Sequence, residues 1–187
     1  MRIIGGKFSG RRIIAPKGTV SRPTTDRTRE SLFNILAARD DLDFEGARII
    51  DLYAGSGALG LEAMSRGGAC CLFVETDAAA RGAIRENIEA LSLFGCTRIH
   101  RRSATSLGAK PASAGEPFTL AFLDPPYRQD LAGPTMRELA NGGWLAPGAL
   151  VVVEQAKDET PASTAAFEEN DRRIYGDTQI GIYVFRP

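Results

Sequence analysis

The chain has 187 residues, enough for one well-buried core and short for two, and its composition is that of an ordinary globular protein. No run approaches the roughly 20 apolar residues of a bilayer span, and "MRIIGGKFSGRR" lacks a secretory signal core, so a cytoplasmic protein is expected. The formal charge is zero, yet residues 1–40 carry nine Lys or Arg against three Asp or Glu, and residues 41–187 carry fourteen against twenty. A net of +6 in the head sits on a net of −6 in the body, a distribution that suits contact with a polyanion or, more plainly, a solvated basic surface.

The elements follow in chain order. "RIIGGKFSGRRIIAP" reads as two short apolar strands around a Gly-rich turn, a basic hairpin arm over residues 1–22. Its cations Arg2, Lys7, Arg11, Arg12, Lys17 and Arg22, with Arg27 and Arg29 just beyond, are the candidate contacts for a polyanion. "RPTTDRTRESLFNILAAR" offers Thr25 or Asp26 as a cap, followed by Leu32, Phe33, Ile35 and Leu36 at helical spacing.

From Ala47 onward strands and helices alternate: "ARIIDLY", then "ALGLEAMSRG" closed by Gly67, then "ACCLFVE". "DAAARGAIRENIEALSLFG" reads as a helix closed by Gly95, "TRIHR" as a strand, and 108–117 as a Pro/Gly/Ser-rich loop. "FTLAFLD", a helix around "TMRELANGG" and "ALVVVEQ" complete the alternation, and "RRIYGD" with "QIGIYVFRP" forms an antiparallel pair turning at Gly176 and Asp177. The fold class is α/β: a mostly parallel seven-stranded sheet with an antiparallel C-terminal strand and helices on both faces, spanning residues 23–187. Cys70, Cys71 and Cys96 lack metal-ligand spacing and read as buried thiols; His100 is the only histidine, and no metal site is expected.

Two motifs carry chemistry. In "DLYAGSGALGLEA", Gly55 and Gly57 permit special backbone angles and close ligand approach, and Gly60 lets the helix pack near the strand. The spacing fits a dinucleotide turn, but Asp51 would repel a pyrophosphate and attract an ammonium. Glu75, ending the next strand, can accept hydrogen bonds from both hydroxyls of a ribose. S-adenosylmethionine, with its ammonium, sulfonium and ribose diol, suits this pair better than NAD does.

The second motif, Asp124-Pro125-Pro126-Tyr127, ends the fourth parallel strand, across the same strand-end crevice. Asp124 and the Pro125 carbonyl can hold the N–H groups of an exocyclic amine and aim its nitrogen at a sulfonium methyl. Pro125 and Pro126 stiffen the turn, and Tyr127 offers a flat face for a base that must be unpaired or flipped. Asp124 can take the proton released after transfer.

These motifs resemble those of the class I S-adenosylmethionine-dependent methyltransferases, which have a Rossmann-like fold. With "RIIGGKFSGRR", "RPTTDRTRESLFNIL", "DLYAGSGALGLEAMSRG" and "DPPY" in that order, the chain is most similar to the bacterial RsmD-like 16S rRNA guanine-N2 methyltransferases. The resemblance covers nearly the whole chain and is weakest in 105–117 and 156–172. It implies methylation of one guanine N2 amine in 16S rRNA, on an assembled or assembling small subunit; a monomer is expected. It also implies that Asp51, Ala54, Gly55, Ser56 and Gly57 contact the methionine part and Glu75 the ribose, with Thr76 among the cofactor-binding residues. Ser103 and Ala104 fall where this fold places its adenine contact, Ser103 standing where an Asp or a similar residue is usual.

Other readings share parts of this pattern. A DNA adenine or cytosine methyltransferase would have the loop and the Asp-Pro-Pro-Tyr turn but needs a target-recognition insertion. A protein-glutamine methyltransferase would begin its motif with Asn. An NAD-dependent oxidoreductase or a non-catalytic RNA-binding module belongs to a different class.

Overall fold

The computed structural model describes residues 1–16 and 26–187. Seven strands form one sheet: β1 (Arg48–Leu52), β2 (Cys70–Val74), β3 (Thr97–His100), β4 (Phe118–Leu123), β5 (Leu145–Ala156), β6 (Phe167–Tyr175) and β7 (Thr178–Phe185). Their order is β3-β2-β1-β4-β5-β7-β6, parallel from β3 to β5 and antiparallel for β5 with β7 and β7 with β6. The expected mostly parallel sheet with antiparallel C-terminal pairing is therefore present. No helix among the described residues is long and apolar enough to cross a membrane.

The helices are α1 (Asp26–Ala37), α2 (Ala58–Ser65), α3 (Ala78–Ala90) and α4 (Ala132–Asn141). Alternating strand residues feed two separate cores. Ile49, Phe73 and Phe122 face α1, α2 and α3, meeting Leu32, Phe33, Leu36, Leu61 and Ile84. Ile50, Leu52, Val74 and Leu123 face α4 through Met136 and Leu139. Each fully buried Leu, Ile or Phe contributes about 1.5–3 kcal/mol by leaving water. The covering is unequal, because the β3 to β4 connection holds only two short 3-10 turns, Ala104–Ser106 and Ala112–Ala114.

Three expectations are corrected. First, α3 does not run to Gly95. Ser92 takes the left-handed conformation (φ 55°), its N–H bonding to the Glu89 carbonyl at 3.0 Å and the Leu93 N–H to that of Ile88 at 3.0 Å. That closing turn buries both Leu91 and Leu93, a gain that outweighs the preference for glycine there. Second, Cys70 and Cys96 are only half-buried; Cys71 alone is inside.

Third, the head contains no strands among its described residues, only an isolated antiparallel bridge between Arg2 and Arg12 and a 3-10 turn at Gly6–Phe8. The N–H groups of Ile3, Gly10 and Ile13 bond within the head, to the carbonyls of Arg11, Ile3 and Met1 at 2.9, 2.8 and 3.0 Å, and other backbone donors go to α2. The N–H groups of Ile4 and Gly5 reach the Glu62 carboxylate at 2.7 and 2.8 Å, and the Phe8 N–H reaches Ser65 Oγ at 2.9 Å. A Cβ on Gly6 would lie 1.9 Å from the Ser65 carbonyl oxygen, so only glycine permits this approach. Ile3 and Ile13 are buried in the core shared by α1, α2 and α3.

Candidate active site

Strand order reverses between β1 and β4, and the loops leaving their carboxyl ends face each other across that switch point. The two ends are tied by the Asp124 N–H, which donates to the Leu52 carbonyl at 3.4 Å. After β1 the chain turns sharply: Tyr53, Gly55 and Gly57 all have positive φ (59°, 56° and 78°). For Tyr53 this conformation is strained, and its hydroxyl is anchored on Thr135 Oγ1 at 2.6 Å. Gly60 serves a different purpose: a Cβ there would lie 2.6 Å from the Phe73 ring and 2.7 Å from Cys71 Sγ.

The loop is held by the two carboxylates expected at the cofactor. Asp51 accepts the Gly60 N–H at 2.9 Å, and Glu75 accepts the Gly55 N–H at 2.9 Å and the Asp77 N–H at 2.8 Å. Ala54 and Ser56 are buried in the turn, Thr76 is exposed beyond β2, and Ser103, exposed, and Ala104, buried, follow β3. Ser103 Oγ is engaged with Thr105, lying 2.9 Å from its hydroxyl.

Across the crevice, Pro125 is buried and Pro126 exposed, while Tyr127 is half-buried with its hydroxyl fixed. That hydroxyl donates to Glu154 Oε1 at 2.7 Å and lies 2.8 Å from Thr178 Oγ1. Glu154, near the end of β5, escaped the sequence reading. The available signal was the one that marked Asp51, Glu75 and Asp124, an acidic residue at the carboxyl end of a parallel strand.

Four carboxylates thus converge from β1, β2, β4 and β5. Burial raises Asp51 to about 8, against the stabilising Gly60 N–H, with Glu75 adding to the rise. Burial raises Asp124 well above the usual carboxylate range, and the charges of Glu154 and Asp51 push it further. Among the described residues no lysine or arginine pairs with Asp51, Glu75 or Asp124. Such a site favours a cationic ligand, which would relieve the mutual repulsion, and disfavours a pyrophosphate.

The basic head divides. Arg2, Lys7, Arg11, Arg12 and Arg27 are exposed, although Arg11 also donates to the Ala90 carbonyl at the end of α3 at 2.7 Å. Arg29 corrects the expected RNA-facing set. It is 1% exposed, donates to the Arg2 carbonyl and pairs with Asp26 at 3.1 Å, so its guanidinium holds the head to α1. Lys17, Arg22 and the candidate cap Thr25 lie outside the described residues.

A buried amide connects the head to the cofactor loop. Asn87 of α3 accepts the Ile14 N–H at 2.9 Å and donates to the carbonyls of Ile14 at 3.0 Å and Ser56 at 2.9 Å. Residues legible only as basic surface are thereby fastened beside the crevice.

The chain is similar to known proteins along nearly its whole length. A family model described as "Conserved hypothetical protein 95" matches residues 1–184. The ribosomal RNA small subunit methyltransferase D of Escherichia coli (strain K12) is 37% identical over 98% of this chain and 89% of its own length. The putative rRNA methyltransferase YlbH of Bacillus subtilis (strain 168) is 34% identical over 98% of both. Among solved structures, the putative methyltransferase yhhF from Escherichia coli superposes with a TM-score of 0.84 at 37% identity, covering 100% of this chain and 98% of that one. With its two motifs meeting at the switch point and its head docked beside them, the chain belongs to the RsmD-like methyltransferase family that this model describes.

Proposed function

We propose that the protein transfers a methyl group from S-adenosylmethionine to the exocyclic N2 amine of a guanine in 16S rRNA of the small ribosomal subunit, acting as a cytoplasmic monomer. The observation that carries this reading is the convergence of buried Asp51 and half-buried Asp124, neither with a cationic partner among the described residues, at the ends of β1 and β4. The residues present fit the cofactor by charge: Asp51 favours its ammonium and sulfonium, Glu75 its ribose, and the turn of Ala54, Gly55, Ser56 and Gly57 its methionine part. Thr76, Ser103 and Ala104 are assigned to its adenosine side. When bound, S-adenosylmethionine supplies an already activated methyl group.

The remaining work falls to the chain. Asp124 and the Pro125 carbonyl accept the amine's N–H groups and orient the nitrogen, while Pro126 stiffens the turn. As the C–N bond forms and the sulfonium C–S bond breaks, Asp124 takes the proton, and its raised pKa makes it a better acceptor than an ordinary carboxylate. Tyr127, held by Glu154 and Thr178, presents its ring to the base. Alignment and electrostatics provide most of the acceleration. Residues 1–22 form the RNA-contacting arm, with Arg2, Lys7, Arg11, Arg12 and Arg27 facing the RNA.

Mass-spectrometric mapping of 16S rRNA from cells with and without the protein tests the reaction; one guanine methyl is expected to disappear. Asp124→Ala should abolish transfer to undermethylated subunits while calorimetry still detects S-adenosylmethionine binding. Undiminished transfer by that variant, or binding of NAD in place of S-adenosylmethionine, refutes the proposal.

A further inference from the structure

The β3 to β4 connection carries no α-helix, so the face of β2 and β3 that looks toward α4 is left open at its amino-terminal end. A cavity of about 570 Å³ occupies this place. Its lining takes in the first residues of the strands, Arg48 of β1, Cys70 of β2, Thr97 of β3 and Phe118 of β4, and follows the edge strand β3 to His100, whereas Asp124 lies beyond the end of β4. Arg98 on β3 is separated from Asp124 at the end of β4 by the two intervening strands β2 and β1, about 14 Å at ~4.8 Å per strand spacing.

The chemistry of the lining is one-sided. It contains Arg48, Arg98 and His100 and no Asp or Glu. Arg48 is braced by the carbonyls of Ala114 at 2.7 Å and Glu116 at 3.0 Å and lies over the Phe118 ring. Arg98 is exposed and makes no ion pair among the described residues. Phe94 is 66% exposed beside them, an aromatic ring without a packing partner. The surrounding stretch, residues 94–115, has Arg98, Arg101, Arg102 and Lys110 and no acidic residue, within a body whose net charge is −6.

A cavity with a free guanidinium, an open aromatic face and no carboxylate matches a group that is both anionic and flat. We propose that it is a second RNA contact, taking one unpaired nucleotide of the substrate with its phosphate on Arg98 and its base against Phe94. It rests on the RNA reading above, but its distance from Asp124 makes the occupant a nucleotide other than the methylated one. The acidic body thus carries a basic site of its own, and RNA is gripped at two places, the head and this cavity.

Trp144 lines the cavity and is the only tryptophan in the chain, so its fluorescence reports on this site. Titration with uridine 5′-monophosphate is expected to change that fluorescence saturably in the wild type and at least tenfold more weakly in Arg98→Glu. Purified 16S rRNA should bind about tenfold more weakly to Arg98→Glu and to the charge-neutral Phe94→Ala, with S-adenosylmethionine binding unchanged. Both side chains are exposed, so neither substitution should unfold the protein. Unchanged rRNA affinity in Phe94→Ala and Arg98→Glu overturns the proposal, even if the mononucleotide binds. Loss of rRNA affinity in a protein that methylates nothing supports the cavity and counts against the reaction; intact methylation with no affinity change does the reverse.

Discussion

Asp51 shows how a single side chain can couple folding, ligand and pH. Its carboxyl is fully desolvated and its pKa rises from 3.8 to about 8 on folding. The folded chain therefore holds a proton that the unfolded chain releases above pH 4. Stability contributed by this group declines as pH rises from about 4 to about 8. A cationic ligand favours the ionised form, so binding should expel a proton. Calorimetry of S-adenosylmethionine binding at pH 7, in buffers of different ionisation enthalpy, is expected to show release of close to one proton; heats independent of buffer would remove Asp51 from the cation site. Glu154 acts similarly on Asp124. Glu154→Gln removes a neighbouring negative charge, so the acidic limb of the kcat/KM profile should move to lower pH. An unmoved limb would show that Asp124 does not set it.

At the scale of elements, α2 is the instructive case. All its residues from Leu59 to Ser65 are buried, Glu62 included, although a helix on a sheet normally leaves one face wet. The head supplies the missing cover, with Ile4 and Gly5 bound to Glu62 and Arg66 paired to it at 2.9 Å. Glu62→Ala would strand two backbone donors and a guanidinium, at a cost of about 3 kcal/mol. Urea denaturation should show that loss, and trypsin should cut at Arg11 and Arg12 more readily than in the wild type. Resistance equal to the wild type would mean that the head is held by Ile3 and Ile13 instead. Hydrophobicity around all sides of "ALGLEAMS" signalled that a partner existed; its identity, some 57 residues away, left no local trace.

For the whole molecule, the charge asymmetry seen in the sequence becomes a spatial one. Exposed Arg2, Lys7 and Arg12 lie on a head fastened to α2 and, through Asn87, to the Ser56 carbonyl of the glycine loop. If each meets one phosphate, replacing all three by alanine should lower the slope of log affinity against log salt by about 0.7–0.9 per residue. An unaltered slope would return them to the status of solvated surface.

The sequence by itself determined the alternation of elements, the glycine turn and three of the four strand-end carboxylates, because these depend on spacing within a few residues. Gly55 and Gly57 were legible from the turn they must make, and Asp51, Glu75 and Asp124 from the strands they end. Only the tertiary structure decided that Arg29 is a buried clamp, that Glu154 holds Tyr127, that Ser92 closes α3, and that a cavity opens beneath β3. Each depends on what a distant segment covers or leaves uncovered, and burial of that kind is set by packing, which local pattern does not encode.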